Sequence, residues 1–376
     1  MIIRVATLWR HRANVCAMRD VALSCATLRR HARCACVAGK SAGAGGRGRA
    51  VFGVEIVCYL FLGGTGAGAC FVLTVLGLLV PRNCLSVQQV DGMGDCVHTA
   101  LSVPRAYRVL FAPAFACALL ALVLGMVFLL VDLGRVDRIL LLITQPNPSH
   151  IVVGAYALAA CVVLAGVLAL VWGGVVRRVG PRALTALQVL TLACAAVVMA
   201  YTGLLLQSLR AVALWHSAWL PVLFVLSSLS CGFALVVGVA QFSGAGGAFA
   251  SVLSRATVAD AGVIVAEALV AAALLATVAH AAQAAQEGGV NGTMAAAAES
   301  VHQLVCGAQA PLFWGGFVAL GLAVPLCIEV VCVMLRRLPS GAVLGLAASI
   351  LAGGLALRWC VVEAGMHPVL SVLGLE

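Results

Sequence analysis

From about residue 54 onward the chain is written in long apolar runs separated by short polar breaks. Eight runs stand out, at about 54–80, 109–131, 151–176, 184–208, 219–241, 258–280, 311–335 and 341–364. Each is within or near the length that carries a helix across about 30 Å of hydrocarbon, allowing for tilt. The breaks between them hold turn chemistry: PRNC, TQPNPS, RRVGPR, FSGAGG and RRLPSG. Lipid offers no partner to a free backbone N–H or C=O, so apolar runs of this length must be helices. The pattern predicts an all-α integral membrane protein built as an eight-transmembrane-helix bundle.

Composition agrees: 63% of residues are hydrophobic, 10% are charged, and the mean hydropathy is +1.12. A soluble chain of 376 residues has no way to hide that much apolar surface. The net charge of +10 comes from one place. Residues 1–50 hold ten of the 23 basic residues and one acid, Asp20, whereas the rest carries 13 arginines against 12 acids. The basicity is therefore a tail and not a patch on a domain, and nucleic acid is excluded as a partner. The tail has no apolar span and no signal-peptide core. Residues 1–50 are expected to be a basic tail, disordered or translated from upstream of the true start, with a membrane domain over 51–376 beginning near Val51. Four cysteines lie in the tail (Cys16, Cys25, Cys34, Cys36) and twelve elsewhere, with no C-x-x-C. No iron–sulfur or zinc framework is expected in this chain.

Orientation follows from arginine bias. The loops after the first, third, fifth and seventh runs hold Arg82, Arg105, Arg108, Arg177, Arg178, Arg182, Arg255, Arg336 and Arg337. The loops after the second, fourth and sixth hold Arg135, Arg138 and Arg210. Nine against three puts the first set in the cytoplasm and both ends of the bundle outside, in a multi-pass protein of the cell (inner, cytoplasmic) membrane. A basic tail on the outer side contradicts the same rule, a second ground for separating it from the bundle.

The stretch GTGAGA (Gly64 to Ala69) carries the letters of a dinucleotide-binding loop. That loop needs a strand before it, an amphipathic helix after it, and an acid about 20 residues on. Here it lies inside an uncharged run, and the corresponding positions are Pro81, Arg82 and Asn83. The glycines instead form GxxxG, the small-residue seam of packed membrane helices.

Polar residues within spans are costly and are functional candidates by default. On this topology Glu55, Tyr59, Asp132, Arg135, Ser149, His150, Tyr201, Gln207, Arg210, Trp215, His216, Arg358, Glu363 and His367 gather near the outer face. Together they predict a polar pocket opening outward. Asp132 opposes the macrodipole at a helix C-terminus and needs a partner or a task. Glu267 falls near the midplane, where a carboxylate without a partner must be protonated or hydrated. It is read either as a satisfied interhelical hydrogen bond or, with Asp132, as part of a proton path. A b-type haem needs two histidines at matched mid-depth. His98 falls in an inner loop, and His150, His216, His280, His302 and His367 at or beyond the outer ends, so no haem or metal is expected. Eight helices with a midplane carboxylate also fit a secondary transporter or proton-conducting protein. Matched broken helices in two inverted halves would mark one, and no clear pairing is present.

Several stretches taken in order resemble one family. YLFLGGTGAGA (Tyr59 to Ala69) is similar to the first-helix signature of the NrfD-like, or polysulfide reductase, membrane subunits. GMVFLLVDLGR (Gly125 to Arg135), followed by NPS and Gly154, resembles that family's second-helix end and loop. YTGLLL (Tyr201 to Leu206), Arg210, Trp215, LPVLFVLSSLSCG (Leu220 to Gly232) and GGLALRWCVVEAG (Gly353 to Gly365) resemble its fourth, fifth and last helices. The resemblance implies a haem-free, quinone-reactive anchor of a respiratory oxidoreductase. Such a subunit exchanges electrons between menaquinone or ubiquinone and a four-cluster ferredoxin-like iron–sulfur subunit, which serves a molybdopterin catalytic subunit. On that likeness Tyr201 binds the quinone, with Glu55, Tyr59, Arg210 and His216 as neighbours. Asp132, Arg135, Asp137 and Arg138 are expected at the subunit interface. One departure is visible: HIV follows Ser149 where the family has proline–methionine–serine.

Overall fold

The computed structural model describes residues 54–81, 86–91, 97–133, 150–176, 179–208, 214–288, 292–335 and 340–365. The tail over 1–50 lies outside them. The elements are α1 (Val54–Leu79), β1 (Ser86–Asp91), β2 (Val97–Ser102), α2 (Arg105–Leu133), α3 (His150–Trp172), α4 (Pro181–Gln207), α5 (Trp219–Phe242), α6 (Ala250–Gly288) and α7 (Gly292–Val305). A π-helical stretch (Leu312–Ala323) then runs into α8 (Val324–Leu335), and α9 (Ser340–Gly365) closes the chain. Eight helices among the described residues are long and apolar enough to cross a membrane, the seventh being the π-helical stretch continued by α8. The expected all-α bundle is what forms.

The pattern had not suggested two additions. In the loop between the first two spans β1 pairs antiparallel with β2, from Ser86 opposite Ser102 to Asp91 opposite Val97. On the other side of the membrane the short helix α7 lies between the sixth and seventh spans. Boundaries also move. The second span begins at Arg105 and not near 109, and α6 starts at Ala250, eight residues before the expected edge. Serine, threonine and arginine at Ser251, Ser254, Arg255 and Thr257 mask that first stretch in a hydropathy reading, yet they cost a helix little.

The core lies around α1. In its most apolar window 78% of residues are buried by protein, against 28% in the sixth and seventh spans, which face lipid over most of their surface. The difference has a sequence cause. Gly63, Gly64, Gly66, Ala67, Gly68 and Ala69 leave α1 without bulk, so α2, α4 and α5 pack closely around it. A Cβ on Gly68 would strike the Ser228 backbone, and one on Gly232 would strike that of Gly68, so the α1–α5 crossing is backbone against backbone. The π-helical stretch and α9 meet the same way, at Gly321 and Gly353. GTGAGA is thus a packing seam.

At the arginine-rich face Trp172 and Phe111 stack at 4.2 Å between centroids, with Tyr107 and Phe115 beside them. The chain leaves α3 through Gly174 at φ +74°, where a Cβ would collide with the Arg108 guanidinium. Arg108 also donates from Nε to Val103 O at 3.1 Å, which ties the start of α2 to the chain entering it. A cation beside the α3 C-terminus complements its dipole.

Candidate functional site

Three helix ends set the depth of the outer polar cluster. Tyr59 is five residues into α1 and Tyr201 six residues from the end of α4, so both lie about 8–9 Å below the outer ends of their helices. They are 1% and 3% exposed. Their side chains interact across the α1–α4 contact, yet the Tyr59 hydroxyl completes no hydrogen bond of ordinary geometry. Gly154 of α3 makes this possible, because any Cβ there would occupy the Tyr201 ring. The family resemblance had grouped these two tyrosines, and the fold brings them into contact.

Arg358 is the centre of the next layer. Its sequence position near the end of α9 suggested an outer-face residue. It lies seven residues or about 10 Å inside the helix end, close to the depth of the tyrosines, and protein buries it fully. Nε donates to Leu60 O (3.0 Å), Nη1 to Gly354 O (2.8 Å) and Ser227 Oγ (3.2 Å), and Nη2 to Ser228 Oγ (2.9 Å). The rings of Phe61 and Phe224 lie 5.8 and 5.5 Å from the guanidinium carbon, within cation–π range. The burial has a steric reason. Gly64 and Gly354 leave a slot that any side chain would fill: a Cβ on Gly64 would meet Ser228 Oγ and Arg358 Nη2. Gly64 therefore gives a cation its place in the bundle. The dinucleotide letters have nothing to do with phosphate.

Ser227 links this layer to the midplane. Its hydroxyl accepts from Arg358 and is within hydrogen-bonding reach of the Glu267 carboxyl on α6. Glu267 is 4% exposed, about 20 Å in from His280 at the outer end of the span. An interhelical partner for Glu267 is therefore within reach, as the first of its two expected readings requires. Seven residues along the same face of α6 stands Asp260, 2% exposed, and on α8 stands Glu329, 3% exposed. Sequence reasoning passed over both. Asp260 fell at the assumed edge of its run and Glu329 close to the cytoplasmic arginines. The signal was present: each is a carboxylate inside an apolar stretch.

Of the remaining predicted residues, two have described side chains and stand apart from this cluster. Glu55 is half-buried at the start of α1, and His216 is exposed on the turn before α5. Its neighbour Trp215 is buried and donates from Nε1 to Val361 O at 2.9 Å, locking that turn onto α9. Asp132 lies in the last turn of α2; Arg135, Asp137, Arg138 and Arg210 lie outside the described residues. The two tyrosines themselves are closed off by protein.

Taken together, the arrangement offers two phenol hydroxyls above a buried cation, with a carboxyl joined to that cation through a serine. Hydrogen-bond donors for an apolar ligand's oxygen sit above groups able to carry protons inward. The profile of the family described as polysulphide reductase, NrfD, matches residues 44–369. Among curated proteins no match was found.

Proposed function

The chain belongs to the polysulphide reductase NrfD family of membrane subunits of oxidoreductase complexes, and from that premise we propose that it exchanges electrons with a membrane quinone at the Tyr59–Tyr201 pair. One observation supports the site above others. Two phenols from different helices share one depth, and the hydroxyl of Tyr59 is buried without a completed hydrogen bond. A quinone carbonyl is an acceptor suited to that donor, and the apolar ring of a phenol packs on the quinone ring.

The chemistry needed is small. A quinol gives up two electrons and two protons, and a quinone takes up the same. The tyrosine hydroxyls hold the ring oxygens. The Arg358 charge, held below them, favours any anionic form of the ring. Glu267, reached through Ser227, receives or supplies protons from the midplane side. The electrons pass to or from a ferredoxin-like iron–sulfur subunit docked at the outer face over the segment from Asp132 to Ser149. Arg135, Arg138 and Asp137 meet its surface, and a molybdopterin subunit lies beyond it. The membrane is the cytoplasmic one and the quinone is menaquinone or ubiquinone.

Tyr201→Phe tests the site. It removes one hydroxyl and little volume, so the bundle survives. Turnover driven by quinol falls, while turnover driven by an artificial donor that feeds the iron–sulfur subunit directly does not. Unchanged quinol turnover and unchanged apparent quinol affinity would place the site elsewhere. Docking has its own test. Reversing the charges of Arg135 and Arg138 releases the partner during purification, and reversing Arg177 and Arg178 on the opposite face leaves it bound. Equal effects would refute the interface.

A further inference from the structure

Four oxygen atoms in the inner half of the bundle lack a hydrogen-bond partner: Asp260 Oδ1, Glu329 Oε1 and Oε2, and Ser230 Oγ. Their side chains are 2%, 3% and 1% exposed. They come from three elements, α5, α6 and α8, and the Asp260 carboxyl lies beside the Ser230 hydroxyl and within electrostatic reach of Glu329. Asp260 also faces a small cleft between α5, α6 and α9, with Thr257, Phe233 and Ile350 on its walls. Thr257 does not answer it, because its hydroxyl already donates to Ser254 O at 2.9 Å. The charged groups around it are mostly of one sign: Glu329 from α8 and Glu267 two turns away on α6. Arg255 is exposed, and the donors of Arg358 are committed to acceptors in the outer half.

Buried polar atoms without partners are rare and ask for an explanation. A proton shared between the two carboxyls, with the Ser230 hydroxyl turned to Asp260, would still leave one Glu329 oxygen unanswered. A small hard cation takes several oxygen ligands at once. Magnesium demands a near-ideal octahedron and keeps its waters, and calcium wants six to eight oxygens. The site as built supplies few ligands and little room for water. We infer that Asp260, Glu329 and Ser230 bind one sodium ion in the inner half of the bundle, in competition with protons. This site is separate from the tyrosine pair and stands whether or not a quinone binds there.

Dicyclohexylcarbodiimide decides the matter, because it enters the membrane and adds to buried carboxyls in their protonated form. The full-length protein in lipid nanodiscs is treated at mildly alkaline pH, in sodium chloride or in choline chloride of equal ionic strength, and the adduct is located by mass spectrometry. Sodium lowers labelling at Asp260 or Glu329 several-fold, and it raises the thermal midpoint, as a ligand that binds the folded state must. D260N and E329Q, which keep shape and remove charge, each abolish the sodium-dependent midpoint shift. Labelling that falls with rising pH but ignores sodium would make the pair a proton site alone and overturn the inference. Equal midpoints of the unmodified protein in the two salts would overturn it as well, even if neither variant folds.

Discussion

The two polar clusters of this bundle lie two turns apart on α6 and are finished in opposite ways. Around Arg358 the donors meet acceptors: a backbone carbonyl of α1, two serines of α5, a carbonyl of its own helix, and two aromatic faces. In the second cluster Asp260 Oδ1 and both Glu329 carboxyl oxygens complete no hydrogen bond. The first cluster is made by its surroundings, since Gly64 and Gly354 are there to admit the guanidinium. The second is set among Phe233, Val237 and Ile350, which have nothing to offer a carboxylate. A satisfied network rigidifies a membrane core, whereas an unsatisfied one marks where a guest enters. Stability should therefore depend on the outer cluster and ion chemistry on the inner one.

Removing the cation is the harshest way to break the comparison. Arg358→Leu leaves Leu60 O, Ser227, Ser228 and Glu267 without their partner, and costs about 3–5 kcal/mol, the range for stripping one member from a buried charged network. Unfolding by denaturing detergent in mixed micelles measures it. Asp260→Asn, measured alongside in sodium-free medium, should cost under about 1 kcal/mol because no bond to Oδ1 is lost. Equal losses would erase the distinction.

Crowding the seam comes next. Gly68→Val drives a branched side chain into the Ser228 backbone, which has no freedom to retreat, and costs about 1–3 kcal/mol or prevents assembly. Gly345→Ala on α9 is its control. A Cβ at Gly345 meets nothing, so the change should be neutral or stabilise by up to about 1 kcal/mol through helix propensity. Both are read from the same unfolding curves and from the yield of monodisperse protein. The smallest effect belongs to the tyrosine pair. Tyr201→Phe should weaken quinol binding or its transition state by about 0.5–1.5 kcal/mol, seen as a drop in quinol-linked kcat/KM. Its unfolding curve should be nearly unmoved. A large loss of stability there would mean that the phenol is architecture, like Arg358, and would sharpen the contrast in the other direction.

Much of this could be read along the chain. Runs such as Ile56–Val80 must be helical because hydrocarbon cannot satisfy a free peptide group, so length and apolarity fix the spans without any tertiary information. The alternation of eight spans fixes which loops share a face, and the signature around Gly64 and Tyr201 names the family. Depth also follows from position along a span, which puts Tyr59 and Tyr201 near the same face. What counting cannot give is which side of a helix meets which neighbour. A soluble helix advertises its buried face by polarity, but α3 and the seventh span are apolar all round, so their sequences carry almost no directional signal. Orientation is settled by shape instead: where Gly68 lets α1 reach α5, where Gly154 admits the Tyr201 ring, and where Gly64 and Gly354 open a slot for Arg358. Only that packing closed protein around an arginine near a helix end. The same packing brought the Ser230 hydroxyl of α5 beside the Asp260 carboxyl of α6.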